Sequence, residues 1–438
     1  MDEILIYFSI SLLFFYAMLL FFAKPKTFIL VFLVVSPLIN IFWFYRILDF
    51  SIVDIFSGIF PVFFILLFIA NLSKRRWLWG GYNKYFLIIL VAFLIPLLRS
   101  IIIGESFLPP LKLFIKIFCG YASYNLFLNY FDSEEKEKVK NIILYAVAIT
   151  MSMVVFQLFT GIGKDQDLGF SMKGLYHDPG QYTRMALLGF IITLPVLNQI
   201  RSKIRYVSNF LLLCICLVTL GFSISRNVVL SLGVIIIVYS LLMRRFLLVL
   251  FVIIFGFVIY FSSPAIQEGY EYKFIKEIEY LRSSNIPIET LGSGRIGTWQ
   301  RTISDFGQAS YFVKVFGEGR DIGPHGQVHG LLKSVGIFGL LATILFYLKL
   351  LSDTFAVVLK EKNNTIALYS FLITVAVFIM SVGSAPITEF YQQMILFAFI
   401  ALLEKNRYMN LGILLYKKPV INFSMPGFIR KNKIYQSR

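Results

Sequence analysis

Apolar residues come in long runs along this chain, separated by short polar and mostly basic connections. Thirteen runs stand out, beginning with Ile4 to Phe22, Phe28 to Phe44, Ile52 to Ala70, Tyr85 to Ile103 and Leu111 to Tyr130. Asn141 to Phe159, Tyr182 to Leu197, Tyr206 to Gly221, Asn227 to Met243 and Phe246 to Phe261 follow, then Val328 to Leu350, Thr365 to Val382 and Ile387 to Leu403. Each is close to the roughly 20 residues that a helix needs to cross a bilayer. The pattern predicts an all-α polytopic membrane protein of about 12–14 transmembrane helices, thirteen by this count.

One connection is long. Ser262 to Gln327 breaks the otherwise short linkers, and a loop of that length is the first place to look for function. Inside it, "FIKEIEYLRSS" and "GRIGTWQRTISDFGQASYFVKVF" show helix-like apolar spacing. Ile296, Trp299, Ile303 and Phe306 recur at three- and four-residue steps, which predicts an amphipathic helix lying on the membrane or capping a cavity between spans. The organisation is therefore residues 1–261 with ten spans, 262–327 as a large external loop, 328–403 with three spans, and 404–438 as a basic tail.

Composition agrees: 58% of the 438 residues are hydrophobic and only 15% charged, which leaves no room for a sizeable soluble domain. The first run follows "MDE", without a basic leader or small-residue cleavage site, and is expected to be a retained span rather than a signal peptide. The net charge of +17 is spread over alternate short loops and the tail, so it needs no nucleic-acid partner. One set of loops holds Lys24, Lys26, Lys74, Arg75, Arg76, Lys84, Lys136, Lys138, Lys140, Arg201, Lys203, Arg205, Arg244, Arg245, Lys360 and Lys362. By the positive-inside rule this set is cytoplasmic, with the amino terminus outside and the carboxyl terminus inside. His177, His325, His329 and the long loop then all face outward. Cys119, Cys214 and Cys216 lie within apolar runs and are expected to be buried structural thiols.

No Gly-rich phosphate loop followed by lysine is present, and no carboxylate cluster with metal spacing appears in the outer loops. An outward-facing reaction must therefore use a substrate that brings its own energy. Four outer segments carry candidate chemistry. In "GLYHDPGQYTR", an Asp-Pro-Gly turn is flanked by His177 and Arg184. In "GFSISRNVVL", Arg226 is a lone cation in a tight outer turn, suited either to lipid headgroups or to an anionic ligand. In "LGSGRIGTW", glycines and Ser293 lead into a helix start with Arg295 in its first turn, where amides and a guanidinium can cradle phosphate. In "GPHGQVHGLLKSVGIFGLL", His325 and His329 stand four residues apart with no third ligand nearby, which favours proton transfer over metal binding. Gly336 and Gly339 beyond them permit close helix packing. Lys112 and Lys116, one turn apart in the fifth run, either snorkel or face a wet cavity.

These segments together resemble the O-antigen polymerase and O-antigen ligase superfamily of bacterial surface-polysaccharide assembly. The resemblance rests on Ser225-Arg226 before a span, Arg295 to Trp299 in the large loop, and "HGQVHGLLKSVGIFG" closing it. From His325, Gly336 falls eleven positions on and Gly339 fourteen, as the family's last motif has them. Gly326 departs from the side-chain amide or hydroxyl usual beside that histidine. The resemblance implies a GT-C-like glycosyltransferase of the bacterial inner membrane, with its active site toward the periplasm. Its substrate would be an undecaprenyl-diphosphate-linked oligosaccharide, with membrane lipids and a chain-length regulator protein as further partners. It also implies Arg226 and Arg295 on the departing diphosphate and His325 on the acceptor hydroxyl. Substrate contacts would come from His177, Arg184, Lys112, Lys116, Trp299, Arg320 and His329, without a metal or cofactor. A polymerase is the leading expectation, with a ligase transferring glycan to lipid A core as the alternative, and a lipid-linked oligosaccharide flippase third.

Overall fold

The computed structural model describes residues 21, 23–39, 46–47, 50–72, 79–160, 179–197, 202–222, 225–262, 264–271, 295–319, 327–361, 364–382 and 389–410. Within these the chain is helical, apart from a two-residue antiparallel ladder in which β1 (Arg46–Ile47) pairs with β2 (Phe50–Ser51). Long helices come first: α1 (Pro25–Ile39), α2 (Ile52–Leu72), α3 (Asn83–Ile103), α4 (Leu108–Tyr130) and α5 (Lys136–Thr160). They continue as α6 (Pro179–Leu197), α7 (Lys203–Phe222), α8 (Arg226–Met243) and α9 (Phe246–Phe261). Three short helices follow, α10 (Pro264–Tyr270), α11 (Arg295–Gln308) and α12 (Tyr311–Phe316). The chain then forms α13 (Gln327–Lys360), α14 (Thr365–Met380) and α15 (Phe390–Asn410).

Among the described residues, six helices are long and apolar enough to cross a membrane: α3, α4, α6, α7, α8 and α13. α1, α9, α14 and the Gly58–Leu72 part of α2 are shorter apolar helices. Over their described residues, eleven of the last twelve expected apolar runs fall on one helix each, and Val328 to Leu350 falls within α13, because a helix alone satisfies its backbone groups without water. The first run, Ile4 to Phe22, lies outside the described residues except for Phe21, and "FIKEIEYLRSS" lies wholly outside them. The expected tail boundary shifts, since α15 continues through Glu404 to Asn410.

α15 is the centre of the bundle, with every side chain from Tyr391 to Lys405 buried, packed chiefly against α4 and α14. α9 is its opposite: only Ile259 is buried, and Leu247, Phe257 and Phe261 are exposed as lipid-facing side chains are. Cys119 and Cys216 are buried free thiols as expected, whereas Cys214 is only half-buried.

The helices give the bundle two ends. At one, the tail end, Tyr82 donates to Asp353 (3.0 Å), Lys349 pairs with Asp353 (2.8 Å), and Tyr124 and the Gly81 amide donate to Glu404. Lys405 donates to the Leu128 carbonyl (2.9 Å), and Lys26 pairs with Glu135. This polar layer fixes the starts of α1 and α3 against the ends of α4 and α15. The other end, the loop end, carries α11 and α12.

Candidate functional site

α13 is not one straight helix. Gly336 interrupts it at φ 66° and ψ −167°, a region open essentially to glycine. In a straight helix, Gln327 and Tyr347 would stand about 30 Å apart at 1.5 Å per residue. Instead their side chains come within reach of each other. The Gln327 amide also donates to the Ser381 carbonyl (3.0 Å), and the Ser381 hydroxyl donates to Gln327 Oε1 (3.2 Å), at the end of α14. That end lies well down α13, because Phe371 of α14 stacks on Phe355 at 5.3 Å. Both sets of contacts require the chain to reverse at Gly336, so that residues 327–335 form a re-entrant arm folded back on residues 337–347. Gly339 makes the reversal possible: a β-carbon there would stand 2.5 Å from that of Val335.

The expected single span Val328 to Leu350 is thereby divided, and only its second part runs on to Lys360. The first arm sets Val328, Leu331, Leu332 and Val335 among polar residues and the second is apolar, so the apolar pattern runs across Gly336 as in one continuous helix. Of the two glycines expected to admit a neighbouring helix, Gly339 admits Val335 of the chain's own preceding arm and lies within contact distance of Ala92 of α3, whereas Gly336 admits the Val315–Phe316 backbone of α12.

A reversal frees carbonyls that a continuous helix would have satisfied. The loop supplies donors to them: Glu318 N–H to Lys333 O and Gly319 N–H to Ser334 O, both 2.9 Å. Gly317, at φ 82°, passes so close that a β-carbon would stand 2.3 Å from the Ser334 oxygen. Gly319 rests on Pro96 of α3 and Pro110 of α4, which anchors this clamp to the bundle.

α11 runs beside the re-entrant arm in the same direction. Trp299 packs against His329 with tilted rings whose centroids are 5.7 Å apart, and further along Asp305 pairs with Lys333 at 3.1 Å. Trp299 lies four residues after Arg295, and His329 two after Gln327. The two helix starts therefore stand side by side at similar depth, bringing the start of α11 at Arg295 to the level of Gln327. The Arg295 backbone opens α11, but its side chain lies outside the described residues. So do His325, Arg320 and His177.

Arg226 joins this level from the other side. It opens α8, which packs on α14 with Tyr239 near Tyr369. From that level, thirteen residues back to Arg226 and twelve on to Ser381 cover similar heights, about 18–20 Å. Arg226 thus stands at about the height of Ser381, which holds Gln327. None of α8, α11 and α13 carries an acid in its first turn. Three positive helix ends, none with an acid in its own first turn, stand at about one depth where two motif arginines begin their helices.

The remaining expected residues are placed differently. Arg184 of α6 is buried and grips Glu389 through two edges, Nε to Oε2 at 3.1 Å and Nη2 to Oε1. Gln392 also donates to Glu389, and Tyr391 donates to the Gln181 carbonyl (3.0 Å). Arg184 therefore joins α6 to the start of α15. Lys112 is exposed and Lys116 half-buried on α4, flanking the buried Leu113 and Ile117, and no described contact brings them to the hairpin.

α11 is a helix where the spacing predicts one, but its packed side is rotated. Thr302 is buried and Phe306 half-buried, whereas Ile303 is 64% exposed. Among the described residues, no three His, Cys, Asp or Glu side chains gather closely enough to hold a metal ion. Gln327, Ser381 and Glu389 were not singled out from sequence. Glu389 had one readable signal, as an isolated acid beside an apolar run. The chain matches no protein-family model, and no curated protein matches it.

Proposed function

We propose that this protein is a membrane glycosyltransferase that joins oligosaccharide repeat units carried on undecaprenyl diphosphate, an O-antigen polymerase of the bacterial inner membrane. The observation that carries this reading is the convergence at the re-entrant hairpin. Arg226, Arg295 and the segment ending at Gln327 are remote in sequence, and their helix starts share one depth. The resemblance in sequence selects the same three places.

In the proposed reaction the acceptor sugar hydroxyl attacks the anomeric carbon of the donor. The bond from that carbon to the diphosphate oxygen breaks, and its electron pair leaves on the diphosphate. Arg226, Arg295 and the positive helix ends offset the charge that develops there. His325 takes the hydroxyl proton. Lys26, Lys84, Lys405 and Arg407 lie at the tail end, opposite α11 and α12, which supports a cytoplasmic tail end and a periplasmic loop end.

The test uses purified protein with a lipid-diphosphate repeat unit and no other acceptor. Lengthening of that lipid-linked glycan is expected, with loss on Arg295→Ala or His325→Ala. Transfer only after lipid A core is added would replace polymerase by ligase. Full activity in both variants would remove these residues from the mechanism.

A further inference from the structure

α7 and α9 run in the same direction and touch at the loop end. There a β-carbon on Gly221 would stand 2.9 Å from two Ile259 side-chain atoms, and the Tyr270 hydroxyl of α10 donates to the Gly221 carbonyl (2.9 Å). Toward the tail end, the Phe210 and Phe251 rings stand between the helices with centroids 6.4 Å apart. A glycine at one contact and two whole rings at the other spread the helices into a groove that opens toward the tail end. Tyr206 and Phe210 on one wall are exposed, and on the other Leu247 is exposed and Phe251 half-buried, each pair one turn apart.

Four exposed cations stand at the wide end of this groove. Lys203 and Arg205 open α7, and Arg244–Arg245 forms the whole connection from α8 to α9. From the Phe210–Phe251 level, the helices rise by about 9–11 Å back to Lys203 and Arg245, so the two cationic ends share one height. Elsewhere at the tail end carboxylates answer the cations: Glu135 for Lys26, Glu137 for Lys140, Asp353 for Lys349 and Asp132 for Lys405. Here the chain has no Asp or Glu between Asp178 and Glu268. Glu137 begins α5, which packs against α7, and is taken by Lys140. The four corner side chains make no hydrogen bond or ion pair to the described residues. Arg244 carries a further mark: at φ 54° and ψ 40° it is the one non-glycine residue with positive φ among the described residues. Glycine or asparagine takes that helix-ending position without strain, whereas an arginine is strained there.

We propose that the groove between α7 and α9 holds one anionic phospholipid of the leaflet at the tail end. Lys203, Arg244 and Arg245 take its phosphate, and its acyl chains lie between the Phe210 and Phe251 walls. Guanidinium groups fork onto phosphate oxygens, and the starts of α7 and α9 add two positive helix ends with no acid in either first turn. A soluble anion would leave the apolar walls uncovered, and an acidic peptide would bring backbone polar groups into hydrocarbon. A phospholipid matches both parts, charge at the interface and hydrocarbon below it. The site stands apart from the proposed catalytic one, at the opposite end of the bundle, and does not rest on the glycosyltransferase reading.

Native mass spectrometry of the full chain in non-ionic detergent, titrated with phosphatidylglycerol or with phosphatidylcholine of the same chains, reads the affinity for the first bound lipid. Wild type should prefer phosphatidylglycerol by at least about tenfold, since each juxtamembrane cation contributes about fivefold. The variant Lys203→Gln, Arg244→Gly, Arg245→Gln should lose that preference. A charge-matched variant, Lys24→Gln, Lys84→Gln, Lys138→Gln, alters three exposed tail-end cations away from the groove and should keep it. No preference in wild type, or equal loss in the two variants, would overturn the site. Arg244→Gly alone relieves the backbone strain, so it should melt no lower than wild type in phosphatidylcholine nanodiscs while binding phosphatidylglycerol about fivefold more weakly. Unchanged binding in that variant would remove Arg244 from the site. Glycerol 3-phosphate in excess, which carries the phosphate without the chains, should leave the lipid bound; its displacement of the lipid would overturn the part assigned to the groove.

Discussion

Replacing Gly336 with alanine strikes the hinge of the hairpin, and its cost can be worked from the geometry. At φ 66° and ψ −167°, an L side chain is held in a disfavoured region at about 1–3 kcal/mol. The new methyl would also stand 2.4 Å from the Val315 carbonyl carbon and oxygen, which are backbone atoms and cannot rotate away. α12 must then move, which breaks the two clamp bonds from Glu318 and Gly319, each worth about 1 kcal/mol net. Together these give about 3–5 kcal/mol of destabilisation. Thermal melting of the full chain in nanodiscs checks the figure against two comparators. Gly339→Ala carries no φ strain but would set a methyl against Val335 Cβ (2.5 Å) and within contact of Ala92 (3.5 Å), so an overpacking cost of about 1–3 kcal/mol is expected. Gly233→Ala in α8 meets nothing within 4 Å and should be neutral or gain up to about 1 kcal/mol from helix propensity. The expected order of melting temperatures is Gly233→Ala highest, then Gly339→Ala, then Gly336→Ala. A Gly336→Ala protein that melts with wild type would refute the reversal at that residue.

Glu389→Gln leaves the buried Arg184 guanidinium without its carboxylate and should cost about 3–5 kcal/mol. The swapped pair Arg184→Glu with Glu389→Arg should recover most of that loss in the same melting assay, and no recovery would show that the pair does more than join α6 to α15. At the tail end, burial works to raise the Glu135 carboxyl, but hydrogen bonds from Lys26 and the Asp132 amide, with the charges of Lys26 and Lys138, hold it below the usual range. A folded-state value below the unfolded one stabilises above the unfolded carboxylate range, and that contribution is lost as pH falls through the folded value. For so exposed a pair it amounts to about 0.5–1 kcal/mol. Glu135→Gln should therefore be less stable than wild type at neutral pH and equal to it in acid; an unchanged difference in acid would contradict the assignment.

The helices were legible because a run of apolar side chains near bilayer length has one solution for its backbone. The Phe246 to Phe261 run, for example, is α9 end for end. The hairpin was hidden because the apolar positions Val328, Leu331, Leu332 and Val335 lead without a break into the apolar residues 337–347, and the backbone angles at Gly336 separate two arms from one span. The Arg184–Glu389 pair crosses 205 positions, and neither residue's local sequence specifies the other. The apolar stripe of α11 was readable, but the face that packs was not. That choice is made by Lys333 and His329 on the arm beside it, through Asp305 and Trp299. Arg226 and Arg295 could be chosen from sequence by resemblance, while the depth that their helix starts share with Gln327 is a property of the fold.

The re-entrant hairpin is the claim on which the site depends, and one distance tests it. Val328 and Leu345 are both exposed (43% and 60%) and accept spin labels. In the hairpin their Cα atoms lie about 10 Å apart, whereas a continuous helix would separate them by about 25 Å. Electron paramagnetic resonance on the doubly labelled full chain in nanodiscs should show the strong dipolar broadening of the short distance. A single distance near that of the continuous helix would contradict the hairpin, and with it the convergence of Arg226, Arg295 and the segment that ends at Gln327.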